Sequence, residues 1–185
     1  MNMLSQRVVN RFWSNTSDPR ILRMFERIDD NTIRVNLDAP PMLPFDQATV
    51  RTNNGGGWVT VQKRANRLDV DDHKVILHLP ELRSHAYGYD LLDETTGLPN
   101  LHPNILDALW VCPHLIPGAW IRDKKKVPLA VFFMAVKFKG TKNNILVRSL
   151  EFVPSCDGNY YASPSYGMIG GKMSDRRPAT ALLSN

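Results

Sequence analysis

Cysteine is nearly absent from this 185-residue chain, which carries only Cys112 and Cys156. Two cysteines exclude a small secreted scaffold held by many disulfides. One bridge could join them, but two buried or half-buried thiols in a reducing compartment fit the chain better. Long hydrophobic runs are missing too, none approaching the roughly 20 residues that span a bilayer. The opening MNMLSQRVVNRFW has arginines around too short an apolar patch for a secretory leader. The expected location is therefore the cytoplasm or a virion, with no membrane partner. There is no G-x-S-x-G elbow, and Gly55-Gly56-Gly57 lacks the lysine and helix of a phosphate loop. Internal repeats and coiled-coil heptads are also lacking. No cofactor, metal or catalytic residue is assigned, and a non-enzyme is expected.

What is present is ordinary for a globular protein. With 43% hydrophobic and 22% charged residues, disorder over the whole length is excluded. The net charge of +5 favours acidic partners, either nucleic acid or an anionic protein face.

The chain is organised around Val127 to Val153, where two apolar runs flank a short Gly/Asn/Lys link. That pattern predicts a β-hairpin at the centre of the core. Upstream, residues 1–16 form a basic segment with Arg11, Phe12 and Trp13. Ser17-Asp18-Pro19 reads as a helix start, and the stripe from Ile21 to Ile28 predicts a helix ending near Asp29-Asp30-Asn31. Thr32 to Leu37 alternates as a strand. The proline-rich stretch Ala39 to Pro44 is a stiff connector, and it places a boundary between an arm (1–39) and a main domain (40–185). From Ala48 to Leu79 a β-meander is expected, with Trp58, Val59, Val61, Val75, Leu77 and Leu79 available for the core. Pro103 opens a short covering helix through Trp110. Residues 80–89 show no period, and the segment after Val153 is rich in Gly, Ser, Tyr and Pro until Ala179 to Leu183.

From about Pro40 to the end of the sequence, the order and spacing of GGGWVTVQKR (55–64), KVILHL (74–79), LLDETTGLPNLHPNILDAL (91–109), PHLIP (113–117), VFFMAVKF (131–138), VRSLEF (147–152) and PATALLSN (178–185) resemble a set of small proteins encoded in candidate-phylum bacterial genomes. That set more often has Trp-Gly where Met134-Ala135 stand, and a tail heavier in Trp and Tyr. The resemblance implies one compact domain and a bacterial or phage-like source, and it carries over no functional residue.

Each candidate for chemistry has a plainer reading beside it. His102, Cys112 and His114, with Cys156, are metal-ligand types near the short helix. Cys112 and His114 lie only two apart with no second pair, so a half-buried thiol and loop histidines are expected. Asp69, Asp71, Asp72 and His73 could cluster for a divalent cation, yet Asp is a preferred turn residue and the chain must turn there. Asp90, Asp93 and Glu94 read as a polar turn. The basic residues Lys124, Lys125, Lys126, Lys137, Lys139, Lys142 and Arg148 surround the central hairpin and could form a row for phosphates. Lysine at sheet edges also serves against aggregation. Tyr160, Tyr161 and Tyr166, among Ser, Gly and Asn, suit a protein-contact surface, as do Arg11, Phe12 and Trp13.

The expectation is a β-rich α+β fold. An antiparallel meander and the central hairpin would form one sheet or a small sandwich around Trp58, Phe132, Phe133, Phe138, Leu150 and Phe152, behind a helical arm. The expected role is a structural or interaction subunit of a larger, self-associating, phage-like particle. A nucleic-acid-binding module using the lysine row is the alternative.

Overall fold

A computed structural model of the chain describes residues 19–43, 45–52, 55–79, 88–121, 129–141, 144–154, 156, 160–169 and 177–184. Along them run α1 (Pro19–Met24), β1 (Phe25–Arg27), β2 (Thr32–Asn36), β3 (Thr49–Thr52), β4 (Trp58–Arg64), β5 (Arg67–Val70) and β6 (His73–His78). There follow α2 (Gly88–Thr95), α3 (Pro103–Val111), a single 3₁₀ turn (Pro113–Leu115), α4 (Gly118–Ile121), β7 (Leu129–Lys139), β8 (Ile145–Pro154), β9 (Tyr160–Met168) and β10 (Arg177–Leu183). The strands make one ten-stranded mixed sheet in the order β1-β2-β4-β5-β6-β10-β7-β8-β9, with β3 also paired to β7. The fold is α+β and β-rich, and the expected hairpin is β7–β8.

Neighbouring strands are antiparallel except β10 and β7, which run parallel from Arg177 beside Leu129 to Thr180 beside Phe132. Past that point the two strands part, and the segment Pro99–Leu101 enters between them. The Leu101 N–H donates to the Ala181 carbonyl (3.0 Å), and Leu183 N–H donates to Pro99 (2.9 Å). On the far side Ala135 N–H donates to the Leu101 carbonyl at 3.3 Å. This wedge satisfies backbone groups that the parting would otherwise strand.

The sequence PNILDALWV is apolar almost all round, and a helix of that kind belongs inside. Eight of the nine residues of α3 are buried. The helix touches β2, β7, β8 and β9. It shares one core with Ile33 and Val35 of β2, Val61 of β4, Phe133 of β7, and Leu150 and Phe152 of β8. It is the short helix expected to cover the sheet, and these strands pack their buried side chains against it. The opposite face of β7 and β8 is covered by α2, whose Leu91 packs with Phe132, Met134 and Val147. Residues 90–94 thus form a helix where a polar turn was expected. Leu91 and Thr95 are its buried positions, four apart on one face.

Other expectations are corrected by register. β4 alternates, and with Val59 and Val61 inward, Trp58 must face solvent. It is 43% exposed, with the Arg34 guanidinium 5.3 Å from its ring centre. Leu79 lies just past β6 and is exposed as well. The first helix stops at Met24, because Phe25, Glu26 and Arg27 pair with Val35, Arg34 and Ile33. Pairing overrides local helical periodicity there, and Ile28 is left exposed. β2 in turn pairs with β4 from Thr32 beside Gln62 to Asn36 beside Trp58. Residues 25–36, read as part of an arm, thus belong to the same sheet as residues 58–64.

Gly167 tests the packing under α2. A Cβ at this position would overlap Cε1 of Phe132. The aromatic ring occupies the space a side chain would need, and shifting a buried ring costs stability. Gly167→Ala is expected to destabilise the protein by about 1–3 kcal/mol. Adding Phe132→Leu should make the effect of Gly167→Ala smaller, and denaturant titration of the four proteins measures that coupling.

Candidate functional site

The polar groups singled out from sequence fall into three places: a buried clamp, a cleft, and the outer strand.

The clamp begins at Arg148 on β8. Paired beside Phe133, it points into the core toward α3 and not along an exposed lysine row. It is 3% exposed, Asp107 is 2% exposed, and Arg148 Nε donates to Asp107 Oδ1 at 3.0 Å, joined by an Nη2 bond to the same oxygen. The guanidinium also lies 4.3 Å from the ring centre of Tyr166. Burial pushes the Asp107 carboxyl above the usual carboxylate range, against the opposing pull of Arg148. Its Oδ2 makes no hydrogen bond of ordinary geometry, although the Met42 backbone steadies the charge. Tyr166 packs edge-on against Phe138, its centroid 5.7 Å away, and its hydroxyl donates to the Met42 carbonyl at 2.5 Å. Tyr166 is thus committed inward and is no free contact residue. One turn earlier on α3, Asn104 Nδ2 donates to the carbonyls of Asn36 and Ala39, each at 2.8 Å. The proline-rich connector is fastened to the core at Ala39 and again at Met42, by α3 and β9.

His102 caps α3. Its Nδ1 accepts from the Asn104 N–H at 3.1 Å, which requires the tautomer with its proton on Nε2. Burial lowers its pKa to about 4, with Asp38 pulling weakly the other way. Cys112 caps the other end and is a buried, free thiol pushed up to about 11 by burial. That thiol is no nucleophile near neutral pH. Cys156 is also free, and it is exposed where a buried or half-buried thiol was expected. A ten-residue helical rise separates His102 from Cys112 by about 15 Å, so the two share no coordination sphere. His114 is half-buried, and burial lowers its pKa too. Among the described residues no three His, Cys, Asp or Glu side chains are grouped to hold a metal ion.

The aspartate run is a hairpin turn. Asp71 and Asp72 both lie at positive φ, +46° and +65°, as a two-residue connection between strands requires. Asp71 Oδ1 accepts from the Thr60 N–H at 2.7 Å. Asp72 pairs with Arg64 at 2.5 Å, and buried Asp69 meets Arg64 at 3.2 Å and Arg67 at 3.0 Å. The carboxylates are spent on the turn and do not converge.

A cleft of about 590 Å³ opens between this turn, the wedge and β7. Val70, Leu101, Ile105 and Met134 line it, with Asp71, His73, His102 and Lys137 among its polar groups. Sequence reading placed Lys137 in a surface row, but it is half-buried at this cleft, while Lys139 two residues on is exposed. Lys124, Lys125, Lys126 and Lys142, and the contact candidates Arg11, Phe12 and Trp13, lie outside the described residues. The cleft itself could not be read from sequence, because its walls come from six separate stretches.

The third place is β9, an ordered strand where a covering loop was an open alternative. It pairs with β8 over its whole length, from Tyr160 beside Pro154 to Met168 beside Leu146. Tyr160 packs against the main core, and Tyr161 is 46% exposed.

No helix among the described residues is long and apolar enough to cross a membrane. Comparison with protein-family models, curated proteins and solved structures returned no match.

Proposed function

We propose that this chain is a non-enzymatic structural or interaction subunit of a larger, phage-like assembly, and that a neighbouring copy joins it along the outer edge of β9. The observation that carries the reading is the end of the sheet. β9 is nine residues long, and among the described residues no strand lies beyond it. In an antiparallel pair, alternate residues turn their N–H and C=O toward the partner strand. Ile169 N–H donates back to the Ile145 carbonyl at 2.9 Å, so odd positions face β8 and even ones face outward. Pro164, which has no N–H, falls on the outward set, as an edge proline should. The N–H and C=O of Ala162 and Tyr166 therefore point away from β8 and can receive an added strand. Pro164 limits continuous pairing, which divides the edge into two short docking stretches. Exposed Tyr161 supplies an aromatic anchor beside the first. The commitment of Asp69, Asp72, Asp107 and Arg148 to structural ion pairs is consistent with a non-catalytic role.

Native mass at low and moderate salt, with and without nuclease, tests this. The wild-type protein is expected to run as a nuclease-insensitive oligomer. Ala162→Pro removes an outward donor without touching β8, and it should lower the mass while leaving the circular dichroism unchanged. A wild-type monomer in every condition, or unaltered assembly of Ala162→Pro, overturns the proposal. A mass that drops with nuclease or salt transfers the reading to nucleic acid and the lysines around β7.

A further inference from the structure

We propose that the cleft beside β7 binds a small amphipathic carboxylate, its apolar body against the cleft wall and its head group at Lys137. This does not depend on how copies of the chain assemble.

Three observations converge. The first is size and lining. About 590 Å³ lies within the range of small-ligand sites, which are mostly apolar with a few placed polar groups. Val70, Leu101, Ile105 and Met134 provide the apolar part.

The second is charge. The Lys137 side chain is half-buried and makes no hydrogen bond or ion pair among the described residues. A cation held partly out of water without a counter-charge is unfavourable, and a bound anion would relieve it. The other polar groups of the cleft do not supply that counter-charge. Asp71, whose Oδ1 accepts from the Thr60 N–H on the turn, forms no ion pair with Lys137. His102 is neutral because burial lowers it to about 4. One lysine, with His73 exposed nearby, suits a singly charged head. A phosphate would call for a nest of N–H donors or an arginine fork.

The third is strand geometry. The β7–β8 register shifts between Phe133 and Phe138, and the β3–β7 register shifts between Val50 and Thr52, with Thr52 opposite Lys137. Two irregularities on either side of one residue re-aim its side chain, as bulges do beside binding sites. The wedge, bonded to Ala135, sits where β7 departs from regular pairing.

Decanoate is the probe, with decanol and decylamine as controls of equal chain length, and isothermal titration of the full chain as the readout. Decanoate is expected to bind, and decanol and decylamine to bind at least roughly tenfold more weakly. Lys137→Met should weaken decanoate roughly tenfold while leaving decanol binding unchanged. Lys137→Gln serves the same purpose should the methionine variant fail to fold. Equal binding of decanoate and decanol, undiminished decanoate binding by either variant, or no decanoate binding at millimolar concentration each overturns the proposal.

Discussion

Asp107→Leu should lower the unfolding free energy by about 3–5 kcal/mol. The loss comes from what the substitution leaves behind. Arg148 is 3% exposed, wedged between α3 and the Tyr166 ring, and without the carboxylate it becomes a buried, uncompensated cation. Arg148→Met alone leaves the opposite problem, a buried carboxylate. That variant can escape by protonation, since burial already raises Asp107 and loss of the guanidinium raises it further. An acid whose folded pKa is raised destabilises the fold when ionised, so Arg148→Met should regain stability as pH falls through that raised pKa. The double variant Asp107→Leu, Arg148→Met removes both charges and keeps the volume. It should lie within about 1–2 kcal/mol of the wild type, far above the sum of the single losses. Denaturant unfolding of the four proteins decides the matter. Additive losses would mean that the two side chains are not coupled.

Acid should weaken the fold through His102. In the unfolded chain a histidine titrates near 6.5, whereas here burial lowers it to about 4. A base with a depressed folded pKa contributes stability above its unfolded pKa and loses it as pH falls toward the folded one. The window is therefore pH 6.5 to 4, and the full loss below it is about 3 kcal/mol. The cap makes the cause concrete. Protonation puts a hydrogen on the Nδ1 that now accepts from Asn104 N–H, and sets a positive charge at a helix N-terminus. His102→Asn keeps a capping acceptor and cannot titrate. Its stability should fall less between pH 6.5 and 4 than that of the wild type. Half-buried His114, shifted the same way, leaves some slope in both proteins. Identical slopes would remove His102 from the account.

The parts of the fold legible in the sequence were those set by local period. The β7–β8 hairpin, the alternation of β2 and β4, and the proline-opened α3 follow from nearest neighbours along the chain. What was not legible depends on distant pairing. No local signal says that Phe25 will abandon a helix to lie beside Val35. Trp58 was misplaced because its size suggested burial, whereas its parity with Val59 and Val61 already faced it outward. The same division holds for the sites. Arg148 looked like a member of a basic row, since its partner Asp107 lies 41 residues away. Lys137 was picked out for its charge, but its cleft exists only where β5, β7 and the 98–102 segment meet.

β10 lies in the interior of the sheet, with β6 on one side and β7 on the other. Yet it is formed by residues 177–183, which leave the ribosome after every other strand described. Until they arrive, β6 and β7 face each other as two open edges, and the wedge at Leu101 lacks its Ala181 acceptor. The nascent chain therefore cannot complete its core progressively, and must hold two exposed sheet halves until the last strand closes them. A chain stopped before Arg177 would present those edges permanently, which makes interrupted synthesis visible to proteases and chaperones.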